Sequence, residues 1–398
     1  MKKLALFLVL QFIIFSVSEI PAQTNTREGP TVISFLPQGY GIKLLNSSGT
    51  SSILNDVSNL GFMNPASISE FENYSLGFSY QINTSTDEAW IADFGTSRVY
   101  NFYPQSVGGI IKWNDFTFGL GFGQKYNGTL DTDPVEVRSI EYPNGTGEFF
   151  EMKQETMIHS YSITASYSFK DLLPASNDIT IGFRYSLNYL DRYDEIWHIT
   201  GSATDYSSNI AAGLNYKISF DDQQHLMIGV SYESKTYFDA KYEVDNSVLI
   251  LYDPEDTTNT YIPVEQSDSY LLHTLPDELR IDLAFDAASD LKLLANLTSV
   301  FWANETNSLK DQIDYSFSAI YQINEMFTPS LGFYITDCEY TDNFYSRLNE
   351  GLNSFFITAG LRFNYNNSFT DLAIADSHLF SGDYRKQTIA KLAIGVQL

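Results

Sequence analysis

Cysteine is all but missing from this chain. Cys338 is the only one in 398 residues, which excludes an internal disulfide and a cysteine-based zinc site. Positive charge is scarce: 23 Lys and Arg stand against 49 Asp and Glu, a net charge of -26. A phosphate backbone is held by clustered cations, so nucleic acid is excluded as a partner. Charge of either sign is thin, at 18% of residues against about a quarter in ordinary soluble domains. Beyond residue 22 no apolar run approaches the roughly 20 residues of a membrane-crossing helix. With a negative mean hydropathy, a bundle of such helices is excluded. The five histidines have no metal-ligand spacing, and the sequence implies no cofactor.

What is abundant is aromatic. With 27 Tyr and 29 Phe, ring-bearing residues reach 15%, and a chain poor in charge but rich in rings suits a large non-aqueous surface. Residues 1–22 have the three parts of a secretory signal: Lys2 and Lys3, an apolar core from Leu4 to Val17, and the small Ala22 before Gln23. Cleavage is expected after Ala22. An exported chain without spanning helices that enters a membrane must enter it as strands.

Residues 23–72 have no sustained period and are rich in Gly, Ser, Thr and Asn. Their apolar patches, 32–36 and Leu60-Gly61-Phe62-Met63, would let them fold as a plug inside a larger shell; the other reading is a disordered leader. From Tyr74 the character changes, and about fourteen candidate strands follow. In the first, Tyr74, Leu76, Phe78, Tyr80 and Ile82 alternate with Ser75, Gly77, Ser79 and Gln81, a period of two that collects apolar groups on one face. The third sets Phe116, Phe118, Leu120 and Phe122 against Thr117, Gly119, Gly121 and Gly123. The links are long after odd strands and short after even ones, with a long loop expected around Trp197 and the longest at 236–278.

A sandwich has no reason for that alternation, whereas outer-membrane barrels have short periplasmic turns and long outer loops. Strands of about 9 to 13 residues suit a tilted crossing. The expected fold is all-β: a transmembrane antiparallel β-barrel of about 14 strands over 73–398, with an N-terminal hatch at 23–72, in the outer membrane of a Gram-negative bacterium. Trp113 and Trp302 are expected at interfacial girdles, and Tyr237–Val244 is expected to prolong the seventh strand.

Three stretches carry a resemblance. GTSSILNDVSNLGFMNPASI leads into the first strand through Asn64-Pro65-Ala66; IGVSYESK lies at 228–235; and LPDELRIDLAFDAASDLKLLANLTSVFW at 275–302 is a Leu-Pro start to a hairpin ending in Trp. In these the chain resembles the long-chain fatty acid transporter family of the outer membrane, the FadL family. The resemblance implies a fourteen-stranded barrel closed by a hatch, passive uptake of hydrophobic molecules such as fatty acids, and their sideways release through the barrel wall into lipid. Leu398 departs from the usual terminal aromatic, and the lead before the triplet is longer than the family's. Related barrels serve surface-protein secretion, so a structural or secretion-associated role without small-molecule transport is the alternative.

Four sets of residues are candidates for function. Asn64-Pro65-Ala66 reads as a rigid hatch bend, because Pro65 fixes its own φ and pushes Asn64 out of the helical region; the plainer reading is a structural turn. Gly119, Gly121 and Gly123 face inward if the Phe residues of that strand face lipid. They either border a lateral opening or make room for the plug. Alternation also points Arg184, Arg280 and Arg362 into the lumen, to hold a ligand carboxylate or, more plainly, to pair with an acid such as Asp282 or Asp314. The adjacent His159 and Ser160 point to opposite faces of a strand and cannot form a catalytic dyad. No enzyme is expected; the expected partners are outer-membrane lipid and hydrophobic small molecules, for a monomeric barrel that is no general porin.

Overall fold

A computed structural model describes residues 57–71, 74–88, 96–131, 134–136, 147, 149–150, 152–173, 177–196, 199–220, 224–245, 248–253, 256–263, 269–304, 310–336, 354–379 and 386–398. The residues expected to form the signal sequence, those of the expected hatch before residue 57, and Cys338 lie outside the described residues.

Strict alternation from Tyr74 onward produces strands, and fourteen of them build the wall. They are β1 (Tyr74–Glu88), β2 (Thr96–Trp113), β3 (Phe116–Asp131), β4 (Met152–Leu173), β5 (Asn177–Ile196), β6 (Ile199–Ser219), β7 (His225–Glu233), β8 (Glu278–Ala288), β9 (Leu291–Val300), β10 (Gln312–Tyr321), β11 (Phe327–Thr336), β12 (Ser354–Tyr365), β13 (Ser368–Asp376) and β14 (Lys386–Gln397). Each pairs antiparallel with its neighbour in chain order, and β14 closes on β1 from Ser75↔Gln397 to Thr86↔Lys386. The seam is sealed at its end, where Tyr74 N–H donates to Leu398 O (3.1 Å) and Leu398 N–H to Tyr74 O (2.7 Å). Closure leaves the lower belt of this ring, where all fourteen strands pair, without the unpaired edge of an open sheet.

The greasy face of each strand is the outer one. Leu76 is 61% exposed, Leu120 65% and Ile163 62%, while the intervening Ser75, Thr117 and Ser162 are buried inside the ring. That is the inverse of a soluble sandwich, whose apolar faces are packed together, and it is the arrangement of a barrel that meets lipid. Two of the tight turns are set by Asn in the left-handed region, Asn114 (φ 56°) and Asn366 (φ 51°), which Asn tolerates. All strand ends next to these turns lie on one side of the ring, and the long connections lie on the other.

The structure corrects the sequence reading at two places. The long link expected between the fifth and sixth strands is largely strand: β5 and β6 run 20 and 21 residues and stay paired from Asp178↔Lys217 to Ile196↔Ile199, with Trp197 itself outside the described residues. Cross-strand pairing carries the hairpin far past the roughly 9 to 11 residues needed to cross a membrane. Trp302 is not an interfacial ring either. It is 3% exposed and its indole N–H donates to Gln312 Oε1 at 3.0 Å, because the chain turns inward in a short 3-10 turn, Trp302–Asn304. Trp113 is 67% exposed at the end of β2. Two further strands, Thr236–Asp245 and Ser269–Leu275, pair with each other and prolong β7 and β8 beyond the ring.

Candidate functional site

Residues 57–71 lie inside the ring. A 3-10 turn at Val57–Asn59 packs on β1, β2, β3 and β14, and a 3-10 helix, Pro65–Glu70, packs on β3 to β7. Val57, Leu60, Met63, Ile68 and Phe71 form a buried apolar cluster with Ile110 and Phe369 of the wall. Asn64 caps the helix: its Oδ1 accepts from Ala66 N–H at 2.9 Å, with Pro65 in the first turn, where its missing donor costs nothing. The same side chain tethers the helix to β6, since Asn64 Nδ2 donates to Asn215 Oδ1 at 2.9 Å and Asn215 Nδ2 donates to Ser67 Oγ at 3.0 Å. The Asn64-Pro65-Ala66 bend therefore lies against the wall, where Gly213 and Gly182 leave no space for a Cβ beside Asn64 and the Pro65–Ala66 backbone.

Four cations from four strands hold this segment. Arg184 (β5) donates from Nη1 to Met63 O at 2.6 Å, and Arg280 (β8) donates from Nη1 to Phe62 O at 3.0 Å. Lys112 (β2) donates to Ser69 O at 2.8 Å and Phe71 O at 3.3 Å, and Lys391 (β14) to Asn59 Oδ1 at 2.8 Å. The arginines are themselves paired. Arg184 Nη2 meets Glu233 at 2.6 Å, Glu233 also meets Lys125, and Arg280 Nη2 meets Glu278. Buried charge is tolerated only when paired and hydrogen-bonded, and here one end of each guanidinium meets an acid and the other a backbone carbonyl of the segment.

Arg184, Arg280 and Arg362 all point inward as alternation requires, yet they do not form one site. Arg362 is bidentate to Asp371 (2.7 and 2.6 Å) with its guanidinium 4.6 Å from the Phe369 ring centre, near the short-turn end. Each arginine pairs with an acid, and the acids are Glu233, Glu278 and Asp371; Asp282 accepts from Asn296 Nδ2 (2.8 Å), and Asp314 from Gln312 Nε2 (3.0 Å) and the Tyr334 hydroxyl (2.8 Å). Lys112 and Lys391 were missed, although the same inward-parity rule points to them. Glu233 and Glu278 were hidden because they sit at strand ends beside the longest connection.

Gly119, Gly121 and Gly123 face the tip of the segment. A Cβ would come within 2.7 Å of Leu60 Cδ1 at Gly119, 2.9 Å of Gly61 N at Gly121 and 2.5 Å of Phe62 Cε2 at Gly123. The pairing of the wall changes at the same level. β2 and β3 pair only from Trp113↔Phe116 to Ser106↔Gly123; beyond that pair β2 continues on β1 alone and β3 on β4 alone. Both strands also break register there, β2 between the partners of Ser79 and Tyr80, and β3 between Gln124 and Tyr126. Such bulges bend and twist a strand. Phe62 thus sits at the foot of a parting in the wall.

Above the charged layer, Tyr126, Ile158, Leu190, Ala203, Phe238, Ala240 and Leu275 form a second buried apolar cluster at the end carrying the long connections. His273 lies among these groups, 5.8 Å from the Tyr126 ring and 6.3 Å from the Phe238 ring between centres. Burial there, with the Arg192 charge nearby, pushes its imidazole down to about 3. His159 stacks on Phe122 at 6.0 Å between ring centres, whereas Ser160 is 2% exposed and inward. The two do not meet.

No family sequence model matches the chain, and no curated protein matches it by sequence. Its fold does have solved relatives. The toluene transporter TbuX of Ralstonia pickettii superposes with a TM-score of 0.63 at 12% identity, over 88% of this chain and 96% of that one. The toluene transporter TodX of Pseudomonas putida gives 0.59 at 13%, over 90% and 97%. A FadL homologue of Pseudomonas aeruginosa gives 0.56 at 13%, over 88% and 98%. This chain has the closed fourteen-stranded barrel fold of those proteins.

Proposed function

We propose that this protein is an outer-membrane channel for passive uptake of hydrophobic small molecules, with residues 23–72 as its hatch and the parting between β2 and β3 as a lateral exit into lipid. The observation that carries the reading is the stack of three layers inside the barrel. An apolar cluster lies at the outer mouth, a ring of paired charges lies beneath it, and the Leu60–Met63 tip is held under those charges at the foot of the parting. A hydrophobic molecule leaving water gains roughly 25 cal/mol for each Å² it buries, so the outer cluster favours capture. The charged layer disfavours onward passage down the barrel axis and turns the apolar path toward the wall. No energy source is needed for movement from water through an apolar site into a bilayer.

The solved relatives named for toluene and FadL support hydrophobic cargo, of a class running from small aromatics to long-chain fatty acids. The apolar outer belt supports the outer membrane as location, and closure of the ring within one chain supports a monomer. The test is uptake of labelled toluene and oleate by a strain deleted for the gene, with and without a plasmid copy. Faster uptake with the plasmid is expected, and equal uptake would remove the transport reading. A Gly123→Trp copy, which crowds the foot of the parting, is expected to lower uptake while the barrel remains folded; unchanged uptake would move the exit elsewhere.

A further inference from the structure

A notch interrupts the outer wall. Across β12, β13, β14 and β1, a row of paired outward residues reads Ala359, Ile374, Ala390, Ile82, and the next row toward the short turns reads Leu361, Leu372, Leu392, Tyr80. Two alanines in one row beside three leucines and a tyrosine in the next leave a notch. It has a volume of about 700 Å³, within the roughly 300 to 1,000 Å³ of sites that enclose small ligands. It sits on the outer belt beside the parting, since β2 alone separates the parting from β1, whose Phe78, Tyr80 and Ile82 line the notch, and no part of the inner segment lines it.

The row on the other side, toward the long connections, is polar. Ile357 pairs with Asp376, Asp376 with Thr388, and Thr388 with Thr84. Thr388 Oγ1 donates to Asp376 Oδ2 at 2.5 Å, His378 N–H donates to Asp376 Oδ1 at 3.0 Å, and His378 Nδ1 lies 3.1 Å from Asp376 Oδ2. Carboxylates are costly on a lipid-facing surface unless they lie near its interface. The notch therefore has an apolar body at mid-wall and an anionic rim at its outer end.

Resting on the membrane reading above, we infer that this notch is a binding site for one amine-headed membrane lipid, whose acyl chain fills the groove while its ammonium meets Asp376 beside His378 and Thr388. A second copy of the barrel fits less well. A self-complementary contact needs a protrusion to enter the groove, and the flanking outward residues Leu361, Leu372 and Leu392 form an even surface. An anionic headgroup is disfavoured by Asp376 and by the chain's net charge of -26.

The test uses the full barrel, reconstituted in vesicles of equal phosphatidylethanolamine and phosphatidylglycerol and then released into detergent for native mass spectrometry. Retention of a single phosphatidylethanolamine is expected. The Ala359→Phe/Ala390→Phe variant fills the notch from outside without touching the lumen, and should retain about tenfold less lipid with unchanged heat-modifiable gel mobility. Asp376→Asn should abolish the preference for phosphatidylethanolamine over phosphatidylglycerol. Equal retention by the filled variant, or none by the native barrel, would overturn the site. So would a filled variant that keeps its lipid but loses hydrocarbon uptake, since the notch would then belong to the cargo. A native dimer that the filling converts to a monomer would assign the notch to a second copy instead. A barrel that never inserts into vesicles fails at the membrane reading itself, and protease protection scores that separately.

Discussion

Two arcs of one wall face the lumen in opposite ways. Along β1 to β6 the inward positions are rich in glycine and small hydroxyl residues, and at Gly77, Gly108, Gly119, Gly121, Gly123, Gly182 and Gly213 the inner segment occupies the space a side chain would take. Along β8 to β11 the inward positions carry larger polar groups that satisfy one another: Asp282 with Asn296, Asn296 with Thr298, and Asp314 with Gln312 and Tyr334. One arc is shaped to receive a backbone, the other to fill itself. The cations of the clamp come from both arcs, so the segment is pinned from two sides and rests on one.

The comparison can be broken most forcefully at the clamp. Arg184→Met would leave the Met63 carbonyl and Glu233 without this donor, and loss of one partner of a buried pair costs about 3 to 5 kcal/mol. The double variant Arg184→Met/Glu233→Gln should recover part of that loss. Thermal unfolding followed by heat-modifiable gel mobility measures both, and a cost below that of Asn64→Ala would show that the clamp holds nothing.

A side chain on the receiving arc comes next. Gly182→Val would place its Cβ into the backbone of Pro65 and Ala66, and overpacking of this kind costs about 3 kcal/mol at the upper end of its range. Protease cleavage between residues 57 and 71 should become fast. On the self-filled arc, Thr298→Val keeps volume and removes one donor to Asn296 Oδ1, so a loss of about 1 kcal/mol is expected; similar costs at the two sites would erase the distinction.

The outer rim sharpens the contrast through pH. His273 is held neutral by burial, with its proton affinity lowered to about 3, so below the ordinary value of 6.5 the unfolded rim binds a proton that the folded rim refuses. Stability of the paired extension over Thr236–Asp245 and Ser269–Leu275 is complete above that value and declines as pH falls toward 3. Amide exchange in these strands should quicken at mildly acidic pH relative to neutral, and His273→Gln should flatten the response. The smallest effect is in the inner segment itself: Asn64→Ala removes the cap and should cost about 1 kcal/mol. Its sharper readout is amide exchange at Ala66, which loses its acceptor.

Much of this was legible before any coordinates. The period of two placed all fourteen wall strands, because side chains on a strand must alternate faces and the chain puts Phe, Leu and Tyr on one of them. The alternating connection lengths gave the closed up-and-down order. What escaped was the height of strands above the belt, as in β5 and β6, since pairing beyond the lipid boundary needs no greasy face to announce it. Trp302 was misplaced for a related reason: its position at a strand end was visible, but the inward turn after it was not.

The sequence alone determined which face of each ribbon meets the outside and that Arg184, Arg280 and Arg362 point into the lumen, because parity along an extended chain is local. Tertiary structure alone decided that two of those arginines grip the carbonyls of Phe62 and Met63, and that β2 and β3 part above Gly123. The grip depends on residues more than a hundred positions apart being brought together by closure of the ring, and the parting on where two neighbouring strands stop pairing. No local pattern encodes which of several inward cations will lie beside a given stretch of backbone.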